Sequence, residues 1–152
     1  MPVATNCFGS IPDDAGVHFE FPAGLPAFEH ETRFVLLAPL ETAPLVFLQS
    51  ERTPGLCFIA IPVDAICSNY NLALSAEDLE KCGFEPGRVP ETSEIAVLAI
   101  LSVGSSETTA NLLAPVVIHL ASRRAVQAVR ADRVYSHRHP IRLPEVEAGA
   151  CS

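Results

Sequence analysis

Thirteen prolines, spread from Pro2 to Pro144, exclude most helical architectures for this chain of 152 residues. The longest proline-free stretches, 63–85, 91–114 and 116–139, hold only 23 or 24 residues each. A proline inside a helix removes a backbone hydrogen bond and clashes with the preceding turn, so long helices have nowhere to form. Between the prolines lie short runs rich in Val, Ile, Leu and Phe at 17–21, 33–38, 45–50, 56–61, 94–103, 116–121 and 125–135. In the last of these, Val126, Ala128 and Arg130 alternate with Ala125, Gln127 and Val129, the period-two pattern of a strand. Residues 95–101 are continuously apolar, which predicts a strand covered on both faces. Seven to nine such strands joined by turns predict an all-β fold: one small antiparallel β-barrel or sandwich, with one short helix.

That helix is expected at 76–82. Ser75 is a suitable N-cap, and Glu77 and Asp78 place negative charge in the first turn, where the helix dipole favours it. Leu72, Leu74, Leu79 and Cys82 supply apolar contacts, and Gly83 can close the C-terminal end. Residues 1–15 and 143–152 are expected as flexible tails around a domain at 16–142.

Hydrophobic residues make up 49% of the chain and charged residues 18%, a globular balance rather than a disordered one. No apolar run approaches the roughly 18 residues that span a bilayer. Residues 1–16 carry no basic residue and no apolar block, so no signal peptide is expected. A cytoplasmic protein that does not engage membranes is the expectation. The charge is uneven. Residues 1–122 hold 15 acids against 4 bases, whereas 123–142 hold 6 arginines against Asp132 alone. An acidic body of this kind repels nucleic acid directly and attracts a basic partner.

The chemistry-bearing residues form no catalytic or metal pattern. Cys7, Cys57, Cys67, Cys82 and Cys151 contain no Cys-x-x-Cys, and Cys57 and Cys67 sit among apolar residues as small core hydrophobes. His119, His137 and His139 invite a metal reading, because residues two apart on a strand face one side. Arg138 between the last two gives them a cationic neighbourhood that disfavours a divalent ion. Gly104-Ser105-Ser106 lacks the flanking glycines of a nucleophile elbow and is better suited to a polar turn. No phosphate-binding glycine loop is present, and no cofactor is expected. The remaining candidates are contact residues: Glu77, Asp78 and Glu80 on the helix, Asn111 at a bend, and Arg138 and His139 before Pro140, where Arg138 is expected above all as a structural clasp on an internal carboxylate.

Five ordered segments carry a resemblance to the flagellar assembly factor FliW family. Phe21-Pro-Ala-Gly24-Leu25-Pro26-Ala27-Phe28-Glu29 is similar to its Gly-Leu-Pro-Gly-Phe-Glu segment, with Ala27 in place of glycine. Phe47-Leu48-Gln49-Ser50 and Pro54-Gly55-Leu56-Cys57-Phe58 follow, then Thr109 to His119, with histidine where asparagine is usual. Tyr135 to Ile141 closes the set. The family's Gly-Gln pair before the last strand stands here as Ala125-Val126-Gln127, which suggests a shifted register or an altered bulge. The resemblance implies a cytoplasmic β-barrel protein, monomeric when free, that works by binding proteins and not by catalysis. Family members bind flagellin and the translational repressor CsrA. Flagellin occupies the factor until export, and the freed factor then relieves repression of flagellin translation. Two other readings stay open on the residues alone: a small hydrolase-type enzyme using His137 and His139, and a purely structural binding module of a secretion apparatus.

Overall fold

The computed structural model describes residues 3–5, 9–11, 16–25, 28–85, 88, 90–104, 106–132 and 134–141, with side chains from residue 16 onward. Among the described residues eleven strands follow in chain order. They are β1 (Val3–Thr5), β2 (Gly9–Ile11), β3 (Val17–Glu20), β4 (Arg33–Leu37), β5 (Val46–Ser50), β6 (Cys57–Pro62), β7 (Ile95–Val103), β8 (Thr108–Ala110), β9 (Val116–His119), β10 (Arg124–Gln127) and β11 (His139–Ile141). The α-helix among the described residues, α1, spans Ala76–Lys81.

Seven strands close on themselves in the order β7-β6-β5-β4-β3-β10-β9 and back to β7. All neighbours are antiparallel except β10 and β3, which meet in parallel at Arg124 and Glu20. There the Glu20 N–H donates to the Arg123 carbonyl at 2.8 Å. Beyond the barrel, β7 continues into a second sheet with β8 and β11. The expected β-barrel is therefore the observed one.

Alternation along the strands sorts the core into an interior and outer layers. Phe19, Phe21, Phe34, Leu48, Ala60, Leu98, Val116, Ile118 and Ala125 fill the barrel. Phe21 meets Phe19 and Phe34 edge-on, with ring centroids 5.4 and 5.5 Å apart, the offset geometry that aromatic quadrupoles favour. On the outside, Leu79, Cys82 and Phe84 cover Ile95, Val117 and Val126. A second outer layer packs Val63, Tyr70 and Tyr135 over Ile61, Ala99 and Leu101. β7 is thus packed on both faces from residue 95 to residue 101, as its unbroken apolar run predicts, and is exposed at Ser102 and Val103.

The helix ends as its sequence dictates. Ser75 Oγ accepts from the Asp78 N–H at 3.0 Å while Asp78 Oδ2 accepts from the Ser75 N–H at 3.3 Å, a reciprocal capping box. At the other end the Gly83 N–H reaches the Glu80 carbonyl and the Phe84 N–H reaches the Leu79 carbonyl, at 3.0 and 2.9 Å. Gly83 has φ +86°, so this is a glycine-closed Schellman motif, with Phe84 and Leu79 in hydrophobic contact.

Four expectations differ from the structure. Val3–Thr5 and Gly9–Ile11 pair antiparallel, where a loose tail was expected; the segment 143–152 lies outside the described residues. The strand expected over 125–135 ends at Gln127. The chain stays beside its partner, with the Ala128 and Arg130 N–H groups on the Pro115 and Leu113 carbonyls at 2.8 and 3.0 Å, but Pro115 has no N–H to return and Asn111 Oδ1 takes those of Leu113 and Ala114 at 3.1 and 3.0 Å, so the reciprocal ladder stops. β10 runs in unbroken register with β9, Ala125 opposite Ile118 through Gln127 opposite Val116, so no bulge or slip separates Ala125 from Gln127. His137 lies before β11 rather than on it, so His137 and His139 do not share one side of a strand.

Candidate functional site

Most of the motif residues hold the fold. Gln49 is fully buried, and its Nε2 faces the carbonyls of Ser50, Thr53, Pro54 and Leu56 at 3.0 to 3.4 Å, tying down the turn between β5 and β6. Ser50 Oγ donates to Glu31 Oε1 at 2.5 Å and accepts from the N–H groups of Arg52 and Thr53. Thr53 Oγ1 donates to the other Glu31 oxygen at 2.7 Å. These hydroxyl bonds from Ser50 and Thr53 hold the Glu31 carboxyl below its ordinary range. Gly24, at φ +69°, makes the turn after Phe21, and a Cβ there would lie 2.5 Å from the Glu29 carbonyl oxygen. The substituted position Ala27 lies outside the described residues.

A second group opens to solvent at one mouth of the barrel. Leu25, Phe28, Phe58, Ile100, Ser102, Val103, Glu107, Thr109, Asn111, Gln127, His137 and Arg138 line a cleft of about 720 Å³. Residues of four sequence-separated motifs therefore converge here: Leu25 and Phe28, Phe58, Thr109 and Asn111, His137 and Arg138. Phe28 meets Phe58 edge-on at 5.7 Å yet is 41% exposed, and Val103 is 65% exposed. Isolated exposed apolar residues are ordinary, but two in one cleft beside an arginine have the composition of a contact surface. Gln127 Nε2 donates to the Ala114 carbonyl at 3.0 Å and stiffens the wall. The mixture of apolar side chains (Leu25, Phe28, Phe58, Ile100), hydroxyl and amide groups, and the ionisable residues Glu107, His137 and Arg138 suits a peptide segment.

The candidate contact residues divide between two faces. Asn111 and Arg138 reach the mouth; Asn111 also shapes the bend. His139 pairs with Ala110 in the second sheet and is half-buried. Glu77, Asp78 and Glu80 sit on α1, against the opposite face of β10: Val126 points under the helix and Gln127 into the mouth. Asp78 caps its helix, Glu77 pairs with Lys81 at 3.3 Å, and Glu80 is exposed beside Pro22 and Arg124.

The structural arginine is Arg130 rather than Arg138. Arg130 is 8% exposed and binds Asp132 through two bonds of 2.9 and 3.0 Å. It also donates to the Asn71 carbonyl and lies 4.8 Å from the Tyr135 ring centroid. Tyr70 and Tyr135, the only two tyrosines of the sequence, stack with centroids 4.3 Å apart. The Tyr70 hydroxyl donates to the Leu112 carbonyl at 2.6 Å, and burial raises its pKa. Bonds from Arg130 lower the Asp132 pKa. The Arg-x-Asp spacing and the two tyrosines were the signals available for this clasp.

His119 is 9% exposed, stacked on Phe84 at 3.9 Å. A carbonyl only accepts, so the 2.9 Å contact of Nδ1 with the Cys82 carbonyl requires the Nδ1–H tautomer. Ser122 Oγ donates to the same carbonyl at 2.8 Å and lies 2.9 Å from Nδ1. The serine proton is thus directed at backbone, and this Ser–His pair closes the C-terminal end of α1 rather than arming a nucleophile. Cys82 is buried beneath, its thiol pushed up to about 11 by desolvation, with Asp78 adding to the shift. Cys57 and Cys67, expected as core, are only half-buried; Cys7 and Cys151 lie outside the described residues. Among the described residues no group of three or more His, Cys, Asp or Glu is placed to hold a metal, and no helix is long and apolar enough to cross a membrane. Gly104 and Ser106 form the β7–β8 turn, closed by the Gly104 N–H on the Glu107 carbonyl at 2.8 Å; Ser105 lies outside the described residues.

Comparison with known proteins finds the same fold and sequence pattern. The sequence profile of the family described as FliW protein matches residues 2–141. The chain is 32% identical over 146 residues to a flagellar assembly factor FliW of Syntrophomonas wolfei subsp. wolfei, covering 95% of this chain and 90% of that protein. It is 34% identical over 147 residues to one from a Geobacillus species, covering 95% and 97%. A crystal structure of the flagellar assembly factor FliW superposes with a TM-score of 0.79 at 31% identity, covering 95% of this chain and 99% of that one.

Proposed function

The chain belongs to the FliW family, and from that membership we propose that it is a cytoplasmic, non-enzymatic regulator that binds flagellin and antagonises the translational repressor CsrA. The observation that carries this reading is the convergence of four separated motifs on the barrel mouth. Motif residues needed only for folding have no reason to gather at an open cleft. Phe28 and Val103 supply exposed apolar area there, and Arg138 supplies a planar cation for a partner carboxylate. Partner switching follows if both proteins use this mouth, because occupancy by flagellin then leaves CsrA free to repress translation.

The acidic body contributes rate more than grip. A net charge of −8 attracts an RNA-binding protein with a basic surface from beyond contact distance. Glu77 and Glu80 on α1 present part of that charge.

The test is a binding titration of the full chain against CsrA and, separately, flagellin, at low and at physiological salt. Saturable binding to each, weakened by salt for CsrA and lowered at least tenfold by Arg138→Glu, is the expected result. Binding that Arg138→Glu leaves unchanged would remove the mouth from the account, and absence of binding to both proteins would remove the function.

A further inference from the structure

We propose that the cleft where β10 meets β3 binds a short acidic segment of a protein partner, at a surface separate from the mouth. It takes up arginines that the mouth leaves unused. Of the six arginines in 123–142, Arg130 closes the clasp on Asp132 and Arg138 reaches the mouth, while Arg133 and Arg142 lie outside the described residues. Arg123 and Arg124 go elsewhere. The fold brings them to Arg33, from a distant part of the sequence, around a cleft of about 630 Å³ lined also by His18, Glu20, Glu51 and Ser122.

The strand register places the charges. Arg124 pairs with Glu20 across the parallel β10–β3 junction, and Glu20 pairs with Arg33 on β4. Residues directly opposite in a sheet point to the same face. Phe19 and Ala125, next along their strands, fill the barrel, so Arg124, Glu20 and Arg33 form a row on its outer surface. Arg33, Arg123 and Arg124 are all exposed, and among the described residues none of them is ion-paired, whereas Arg88 and Arg130 each hold a carboxylate. Glu51 is engaged by His18 Nδ1 at 3.1 Å, and Arg124 also borders the exposed Glu80 of α1. Within the lining, three guanidiniums thus stand against Glu20.

Backbone conformation supplies a second, independent observation. Arg123 has φ +58° and is the one non-glycine residue with positive φ among the described residues. Glycine enters that conformation without steric cost, and arginine does not. The Arg123 N–H donates to the His119 carbonyl and its own carbonyl accepts from the Glu20 N–H, both at 2.8 Å, so the backbone is held there beside the cleft. Strain kept at a residue whose side chain makes no internal ion pair points to a role in recognition. Planar guanidinium forks match carboxylates, and Glu20 within the row disfavours a continuous polyphosphate. The net charge of −8 opposes a long polyanion, but at physiological salt such charge reaches only about 8 Å, so a short acidic stretch in direct contact escapes most of it.

The probe is a labelled peptide, acetyl-Gly-Asp-Glu-Ala-Glu-Asp-Gly-amide, titrated by anisotropy into the full chain beside an isosteric peptide with Asn and Gln for Asp and Glu. The expected result is saturable binding of the acidic peptide alone, weakened by salt. Arg123→Gly and Arg33→Gln should each lower it at least tenfold, and Arg138→Gln should leave it within about twofold. Arg123→Gly relieves the turn, so the urea midpoint should not fall while binding is lost, a split that a purely structural arginine would not give. Arg33→Gln, on a different strand, carries the test independently. No saturable binding below about 1 mM, equal binding of the neutral peptide, or binding lost with Arg138→Gln and indifferent to Arg123→Gly would overturn the proposal. Tighter binding of a uridine hexanucleotide than of the acidic peptide would overturn it in favour of RNA. The probe contains neither flagellin nor CsrA, and the cleft and the mouth share no lining residue. Failure here therefore leaves the mouth reading intact, and failure there leaves this result intact.

Discussion

The mouth of the barrel and the seam beneath α1 are built on the same strands and use them in opposite ways. On β10, Val126 enters the seam and its neighbour Gln127 the mouth; on β7, Ile95 enters the seam and Ile100 the mouth. In the seam, Phe84, Cys82 and His119 are buried, and the His119 ring bonds the backbone carbonyl that ends the helix. At the mouth, Phe28 and Arg138 stand in solvent. A buried group with its hydrogen bonds made contributes stability, whereas an exposed apolar and cationic cluster in a cleft contributes little to stability and is available for binding. Presence in a family motif does not separate the two roles; burial and hydrogen-bond satisfaction do.

Substitutions should therefore separate stability from binding. The largest effect is expected for Phe84→Ala, which removes the ring stacked on His119 and the contact that closes the helix. A loss of about 3–5 kcal/mol, read as a fall in the urea midpoint, is the expected outcome. A loss below about 1 kcal/mol would mean that the seam collapses around the gap and is not a tightly packed unit.

Thiol reactivity comes next. Burial pushes Cys82 up to about 11, so at mildly alkaline pH its thiolate fraction falls roughly a hundredfold relative to an ordinary thiol. Iodoacetamide should label Cys57 and Cys67 in the native chain and reach Cys82 only on unfolding, as peptide mass mapping would show. Arg138→Glu at the mouth should leave the urea midpoint within about 0.5 kcal/mol of its original value. It should nevertheless weaken partner binding at least tenfold, or about 1.4 kcal/mol. A variant that lost stability and binding together would erase the distinction between the regions.

Ser75→Ala removes half of the capping box and should cost about 1 kcal/mol, with no change in partner affinity. The smallest effect concerns pH. Glu31 is held below its ordinary value of 4.5 by Ser50 and Thr53. A depressed carboxyl contributes stability that is present above the unfolded pKa and lost as pH falls through the folded one. Glu31→Gln should flatten the acid side of the stability profile and leave affinity at neutral pH unchanged.

The barrel was legible because its signals are local. Proline spacing excluded long helices, the apolar run at 95–101 marked a strand buried on both faces, and Ser75 with Gly83 bracketed the helix to within a residue. The site was only partly legible because it is assembled by closure. Leu25, Phe28 and Phe58 lie in the family motifs, but nothing in their spacing says which aromatic faces inward; Phe21 is fully buried and Phe28 is not. Arg130 and Arg138 are alike in sequence, and only the fold places Arg130 against the stacked rings of Tyr70 and Tyr135. β11 pairs across the chain with β8, and such long-range partners leave no local trace.

The most direct test of the mouth as the partner-binding surface is an amide chemical-shift footprint of the full chain, titrated with flagellin and separately with CsrA. The account predicts that the shifts cluster on Leu25, Phe28, Thr109 and Arg138 for both partners, with the amides of Leu79 and Cys82 unmoved. Shifts confined to α1 around Glu77 and Glu80, with the mouth silent, would contradict it.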